Sequence, residues 1–241
     1  MSDFLLEWDK TGEHYYETGC DHGVLYPQVK SDNVVNYPLG VVWNGLTGVS
    51  ESPSGGDPNN IYADNMKYLV LRGTEDFGGT ITCYTFPDEW MACDGSATPD
   101  GIAGVVIGQQ TRKPFGLSYR TKIGNDTEGD TAGYKLHLVY NASASPSEKS
   151  YSTTNESPEA IEFSYEFTTT PIAIAGDAYK SYKPISVITI DSTKADAENL
   201  AILEEILYGK KVDGGTDVDA RLPLPEEVLS ILKTGSYTPG E

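Results

Sequence analysis

The chain has 241 residues, of which 36 are acidic and 17 basic, so its formal net charge at pH 7 is −19. This excess of acids argues against a nucleic-acid-binding protein, because affinity for phosphates depends on neutralisation by Lys and Arg. The 25 Gly, 14 Pro and 16 Tyr favour strands and turns over helices, and the length fits one large all-β domain or two small ones.

Residues 1–22 carry mixed charges and several aromatic side chains, and we predict an N-terminal arm that docks on another surface. The first residues lack the basic and apolar regions of a signal peptide, and no apolar run reaches the roughly 18 residues of a membrane span. The three cysteines form no C-x-x-C pair, so we expect reduced thiols in a protein made and kept in the cytoplasm. Residues 23–30 follow as a short strand, and Pro27 favours an edge position.

Residues 39–71 are predicted to form a strand, a long loop and a second strand. Val41, Val42 and Trp43 suit a pleated surface, and residues 66–71 are a second apolar run. The polar residues 44–65 between them exceed the roughly 12–15 residues above which loops are usually functional or disordered. Two interpretations remain open, a mobile surface loop and an arm that folds against a partner. The second is favoured by the apolar residues Leu46, Val49, Ile61 and Tyr62.

Further strands are predicted at residues 80–86, 104–111 and 116–123, with a short helical turn at residues 88–91. Residues 134–140 and 161–168 alternate strictly, which predicts antiparallel strands with one buried face each. In the first strand the buried face is predicted to carry Tyr134, Leu136, Leu138 and Tyr140, and in the second Ile161, Phe163, Tyr165 and Phe167. Residues 185–190 are apolar on both faces and are predicted to lie centrally in the sheet.

One long helix is predicted at residues 193–208, with Ser192 or Thr193 as its N-terminal cap and Gly209 as its end. A shorter helix, opened by Pro225, is predicted at residues 225–233. We therefore divide the chain into an N-terminal arm (1–22), a β domain with its helix (23–209) and a C-terminal arm (210–241).

No motif of a catalytic, nucleotide-binding or metal site occurs in the sequence. Asp88 and Glu89 stand beside Trp90, as in a glycosidase pair, but adjacent acids need not converge and a helix start favours them. Asn125 and the acids that follow it lack the spacing of an EF-hand, so a solvated turn is the better interpretation. We expect no enzyme, no cofactor and no metal. A β domain with a docking helix and a long arm is typical of an assembly subunit.

Four stretches carry a family resemblance: WNGLTGVSESPSGGDPNNIYADNMKYLVL, TFPDEWMACDGS, KPFGLSYRTKIGND and ISVITIDSTKADAENLAILEEILYG. From about Trp8 to Leu232 the chain resembles the major tail protein, or tail tube protein, of long non-contractile-tailed phages of Gram-positive bacteria. The resemblance implies an antiparallel β-sandwich or barrel flanked by one helix. It also implies hexameric rings that close a shared inner β-barrel and stack into a virion tail tube, through which DNA passes without specific binding.

The resemblance further implies that the loop between the early strands bridges successive rings. The candidate inter-ring residues are Asn44, Gly45, Leu46, Thr47, Val49, Glu51, Pro53, Asp57, Pro58, Ile61 and Tyr62. Implied partners are further copies of the chain, a tape measure protein, a tail terminator and distal tail or baseplate proteins, assembled in the host cytoplasm without membrane insertion. Alternatives are a tube protein of a contractile or secretion system and a carbohydrate-binding β-sandwich of a phage tail tip.

The negative charge suggests an acidic lumen, because a tube that passes DNA must not hold it. Glu162 and Glu166 share the polar face of one alternating strand and are the candidate lumen-facing acids. The competing interpretation is that the acids lie mainly on the outside and keep the protein soluble.

Overall fold

An eight-stranded antiparallel β-sheet organises the fold in this computed structural model, which describes residues 6, 8–31, 34–154, 156, 159–212 and 217–237. The predicted mainly β fold class is confirmed, and the sheet is not closed into a barrel. The described strands are β1 (Tyr16–Pro27), β2 (Val29–Ser31), β3 (Val34–Asn36), β4 (Val41–Val42), β5 (Leu46–Glu51), β6 (Ser54–Gly55), β7 (Pro58–Ala63), β8 (Met66–Arg72), β9 (Glu75–Asp76), β10 (Gly78–Cys83), β11 (Phe115–Asn125), β12 (Gly129–Ala144), β13 (Phe163–Thr169) and β14 (Val187–Asp191). The α-helices are α1 (Met91–Asp94), α2 (Ala197–Tyr208) and α3 (Pro225–Thr234), and short 3-10 turns lie at Asp88–Trp90 and Asp177–Tyr179.

β12 is the central strand of the large sheet, whose order is β4-β1-β11-β12-β13-β10-β5. One edge of β12 pairs with β11, and the other pairs with β14 opposite residues 135–139 and with β13 opposite residues 142–144. The prediction of a central strand at residues 185–190 is wrong, because among the described residues β14 pairs with β12 alone. β14 is apolar on both faces because Val187 and Ile188 pack against two different cores.

Two apolar cores lie on opposite faces of the sheet. The first lies around Trp90, whose ring centroid is 4.8 Å from that of Trp43. The second lies between the sheet and the helices α2 and α3. Val139 of β12 belongs to the first core and Leu138 to the second, so the predicted alternation of this strand is correct. The expectation of a single buried face is wrong, because helices cover the face opposite the first core.

α2 begins at Ala197, four residues after the predicted start. Its N-terminal cap is Asp196, whose side chain accepts a hydrogen bond of 3.0 Å from the backbone N–H of Asn199. The predicted cap, Thr193, instead lies in a turn, where its backbone N–H and hydroxyl both donate to the carboxylate of Asp191. Short polar side chains at this point compete with the helix by forming local hydrogen bonds. The helix ends before Gly209, as predicted.

α3 contributes to the second core within the segment predicted as a C-terminal arm. Val228 and Ile231 are buried there with Leu203 of α2, and the side-chain N–H of Asn199 donates to the carbonyl of Leu232 at 3.1 Å. The described residues of 210–241 therefore include a packed helix. Residues 213–216 and 238–241 lie outside the described part of the chain, as do residues 1–5 and 7 of the N-terminal arm.

The strands predicted at residues 80–86 and 116–123 are confirmed as β10 and β11, and β1 begins earlier than predicted, at Tyr16. The strand predicted at residues 104–111 is wrong. Within the described chain, its ladder contact is a single bridge between Ala97 and Ile107. A strand needs a neighbouring strand whose backbone groups pair with its own. An apolar sequence pattern alone does not supply that neighbour.

A polar cluster joins β5 to β11 and β12 across the first core. The Tyr119 hydroxyl donates to Glu51 at 2.5 Å, and the His137 ring stacks on Tyr119 with centroids 4.6 Å apart. His137 Nδ1 lies 3.1 Å from Glu51 Oε1, and Nε2 lies 3.1 Å from the Thr121 hydroxyl. A neutral imidazole protonated on Nδ1 satisfies both partners. Burial lowers the pKa of His137, and the carboxylate of Glu51 only partly opposes this effect.

We therefore expect the subunit to lose stability as the pH falls. The unfolded chain takes up a proton near the ordinary histidine pKa, about 6.5, whereas the folded chain resists it, so acidification through this range favours unfolding. The urea midpoint measured at pH 7.5 and pH 5.5 should fall less in His137→Gln than in the wild-type chain. Val29→Asn, at an exposed position without an ionisable side chain, is the control and should keep the wild-type difference. An unchanged difference in His137→Gln would contradict this account.

Candidate assembly surface

The residues predicted as one long loop form two different structures. Leu46–Glu51 is β5, a strand of the large sheet that pairs with β10 from Leu46↔Cys83 to Glu51↔Gly79. The prediction of a loop over residues 44–65 is wrong at this point. Val49 packs against the first core, and Glu51 is held by Tyr119 and His137 of the same chain. The apolar character of Leu46 and Val49 therefore reflects packing within the subunit.

The remainder of the predicted loop joins the following strand to form a hairpin of β7 and β8. The pairs run from Pro58↔Arg72 to Ala63↔Met66, with a register shift after Ile61. Asp64 and Asn65 form the two-residue turn, with φ values of 49° and 61°. Positive φ at both positions is typical of the type I′ turn, whose twist matches that of paired strands. This turn is the sequence signal that could have predicted the hairpin.

The hairpin exposes apolar side chains on both of its faces. Residues that oppose each other in a ladder share a face. On the side of the register shift nearest the sheet, one face carries Ile61, Leu69 and Leu71, and the other carries Val70. Tyr68 is 71% exposed and Met66 is 69% exposed, and every residue of both strands is exposed. Contiguous apolar surface of this kind marks an interaction site, and an isolated two-stranded hairpin is marginally stable in water.

Charge is balanced within the hairpin, unlike the rest of the chain. Residues 57–72 contain two acids, Asp57 and Asp64, and two bases, Lys67 and Arg72, whereas the whole chain has a net charge of −19. Like charges brought together across an interface disfavour association. A locally neutral, apolar surface is therefore the part of this molecule best suited to contact a second acidic copy.

The hairpin is attached to the large sheet through a short ladder at its base. Ser54 pairs with Asp76 between β6 and β9, and the N–H of Ser52 donates to the carbonyl of Gly78 at 2.8 Å. The Thr169 hydroxyl donates to the carbonyl of Phe77 at 2.7 Å. These bonds connect the base of the hairpin to the ends of β5, β10 and β13.

The two candidate lumen acids lie on the polar side of β13. The predicted alternation is confirmed for this strand: Tyr165 and Phe167 are buried in the first core, while Glu166 is exposed. Glu162 lies just before the strand, is also exposed, and accepts a hydrogen bond of 2.5 Å from the Thr47 hydroxyl. The structure thus brings both acids to one outward-facing surface, which continues onto the neighbouring strand β10.

Residues near the N-terminus dock on the β11–β12 turn of their own chain. The backbone N–H of Gly12 donates to Asp126 at 3.0 Å, and the N–H of His14 donates to it at 3.3 Å. The hydrogen bond from Gly12 holds the pKa of the Asp126 carboxyl below its usual value. The polar turn predicted after Gly124 therefore anchors part of the N-terminal segment.

The other sequence candidates for chemistry do not form a site among the described residues. Asp88 and Glu89 lie on the 3-10 turn before α1, where Trp90 is buried in the first core. No group of His, Cys, Asp or Glu in the described chain has the geometry to hold a metal ion. The described helices include none that is both long and apolar enough to span a membrane.

The comparisons with known proteins agree with the resemblance predicted from the sequence. A family model described as phage tail tube protein matches residues 29–210, a range that includes β5, the hairpin, the central strands and α2. The predicted resemblance is thereby confirmed. A search of curated proteins found no match to the chain.

Substituting the exposed face of the hairpin should spare the subunit and impair association. Tyr68→Ser with Val70→Ser removes two exposed apolar side chains, so the free energy of unfolding of the dilute subunit should change by less than about 0.5 kcal/mol per substitution. Self-association, measured by sedimentation velocity at increasing concentration, should weaken strongly. Tyr182→Ser, at an exposed tyrosine outside the hairpin, is the control. Unfolding of the double variant would show that the hairpin belongs to the subunit's own core.

Proposed function

Because the chain belongs to the phage tail tube protein family, we propose that it forms hexameric rings, that these rings stack into the tail tube, and that DNA passes through this tube during ejection. A structural role in the virion tail follows from the family itself. Rings, stacking and the passage of DNA are the steps that the proposal adds.

Ring formation is supported by open strand edges at the margins of the large sheet. In the described chain β4 and β5 end the strand order, and β14 pairs on one edge only. Unpaired backbone groups at such edges can be completed by a strand of a neighbouring subunit. Closed point-group symmetry is the usual outcome when identical subunits associate, and it limits growth within the ring. The shared inner β-barrel implied by the family is consistent with these edges.

Ring-to-ring contact is assigned in this proposal to the hairpin of β7 and β8. The predicted inter-ring residues that remain candidates for direct contact are those in or beside it, Asp57, Pro58, Ile61 and Tyr62. Leu46, Val49 and Glu51 belong to the subunit's own sheet and support the hairpin only indirectly. One observation carries this proposal: the hairpin exposes apolar side chains on both of its faces. The chain that does so belongs to a family of phage tail tube proteins.

The further partners in the proposal are those that a tail tube needs at its ends and inside. A tape measure protein would occupy the lumen during assembly, a tail terminator would cap one end, and distal tail or baseplate proteins would bind the other. Assembly would take place in the host cytoplasm. No cofactor enters the scheme, because association requires only surfaces of the folded subunit.

Concentrated purified protein should form rings or tubes without any added cofactor. Negative-stain electron microscopy should show six-fold rings or stacked tubes, and sedimentation should show species larger than the monomer. The proposal fails if the wild-type chain remains monomeric at high concentration and tail partners do not change this.

Reversing the charge of the two candidate lumen acids should slow DNA ejection. Glu162→Lys with Glu166→Lys replaces exposed acids with bases that bind phosphate, and the delay should increase at low salt because such binding is salt-sensitive. Glu198→Lys with Glu205→Lys, on α2, makes the same charge change outside this strand. Ejection should be timed in particles whose tubes have assembled. A wild-type rate in assembled Glu162→Lys, Glu166→Lys particles would remove these residues from the lumen.

A further inference from the structure

Residues 101–108, GIAGVVIG, form a second exposed apolar surface, here called the 101–108 segment. Val106 is 56% exposed and Ile102 is 53% exposed, and Val105 and Ile107 are exposed as well. The segment has the composition of a strand but lies in irregular structure. Within the described chain, no backbone hydrogen bond involves Val105 or Val106. The exposed apolar side chains of the segment and the backbone groups of Val105 and Val106 are available to a partner.

The charge of this region resembles that of the hairpin. Residues 96–111 contain one acid, Asp100, and no base, in a chain whose net charge is −19. The two longest apolar exposed stretches are thus both nearly neutral. Neither would meet the repulsion that opposes contact between other surfaces of two acidic copies.

The hairpin and the 101–108 segment are attached at opposite ends of β10. The hairpin returns to the sheet through β9 and enters β10 at Gly78, whereas the chain leaves β10 at Cys83 toward α1 and then the segment. A strand of this length spans about 20 Å. Hydrogen bonds between Gly95 and Gln110 and between Ala92 and Lys113 hold the ends of the region against α1.

Stacking of identical rings in one direction requires two different, complementary surfaces on every subunit, because the contact is head-to-tail. We propose that the 101–108 segment is the surface on which the hairpin of a subunit in the neighbouring ring docks. Apolar side chains of Val105 and Val106 then meet one hairpin face, and the segment's free backbone groups face an open hairpin edge. This inference rests on the proposed tube function and names the acceptor that its inter-ring contact needs.

Disulfide trapping between two singly substituted full-length chains tests the contact directly. Val70→Cys, on the hairpin, and Val106→Cys, on the segment, are mixed, assembled and oxidised, and the linked peptides are identified by mass spectrometry. The chain's own thiols are poorly reactive, because burial raises the pKa of Cys20 to about 11 and of Cys93 to about 12. Oxidised wild-type tubes provide the background. A 70–106 bond between chains is expected in assembled tubes.

Substitution of the segment provides an independent measurement. Val105→Asn with Val106→Asn should raise the concentration required for tube formation by about tenfold or more, since each buried valine contributes to the contact. The unfolding midpoint of the dilute subunit should stay unchanged, because both side chains are exposed. Val29→Asn, at another exposed valine, should leave assembly at the wild-type concentration.

The outcomes separate this inference from the function on which it rests. If the wild-type chain forms tubes but the mixed Val70→Cys and Val106→Cys chains yield 70–70 or 106–106 bonds, or none, the hairpin–segment contact is overturned and the tube function stands. The same holds if the Val105→Asn, Val106→Asn variant assembles at the wild-type concentration. If the wild-type chain forms no tubes at all, the proposed function fails and this inference fails with it.

Discussion

β7 and β8 carry apolar side chains on both faces of a two-stranded ribbon, and in the described chain no third layer covers either face. Such a ribbon is marginally stable alone. Another molecule therefore has to bury its apolar side chains. The net charge of −19 keeps separate subunits apart and soluble. Contact between two copies meets least repulsion where apolar surface is locally neutral, as it is in the hairpin. The assembly account follows from this combination of exposure and charge.

We expect the subunit to fold without the hairpin. β12 carries side chains into both cores, with Val139 on one side and Leu138 on the other, and α2 and α3 close the second core. β5 is joined to β11 through the hydrogen bond from Tyr119 to Glu51, and to β12 through the contact between His137 and Glu51. The hairpin lies outside both cores and is tied to the sheet mainly at its base. A folded subunit can therefore present the hairpin before any partner arrives.

The sequence predicted correctly the features that depend on residues close together in the chain. The alternation of β13, the end of α2 at Gly209 and the opening of α3 by Pro225 all agree with the structure. The hairpin, the irregular segment at residues 104–111 and the edge position of β14 were missed. The last two depend on which distant strand supplies a partner, which period-two alternation does not encode. The hairpin pairs neighbouring strands, and its local signal is the two-residue turn at Asp64 and Asn65. Of residues 44–65, predicted as the inter-ring loop, the first third is a core strand.

Hydrogen exchange of the hairpin amides tests the central claim, that assembly buries β7 and β8, most directly. In dilute subunits the amides at the open edges of residues 58–72 should exchange rapidly, while those of β12 are protected by the two cores. In purified tubes the account predicts that hairpin amides become strongly protected, with little change in β12. Hairpin amides that exchange equally fast in tubes and in dilute subunits would contradict it.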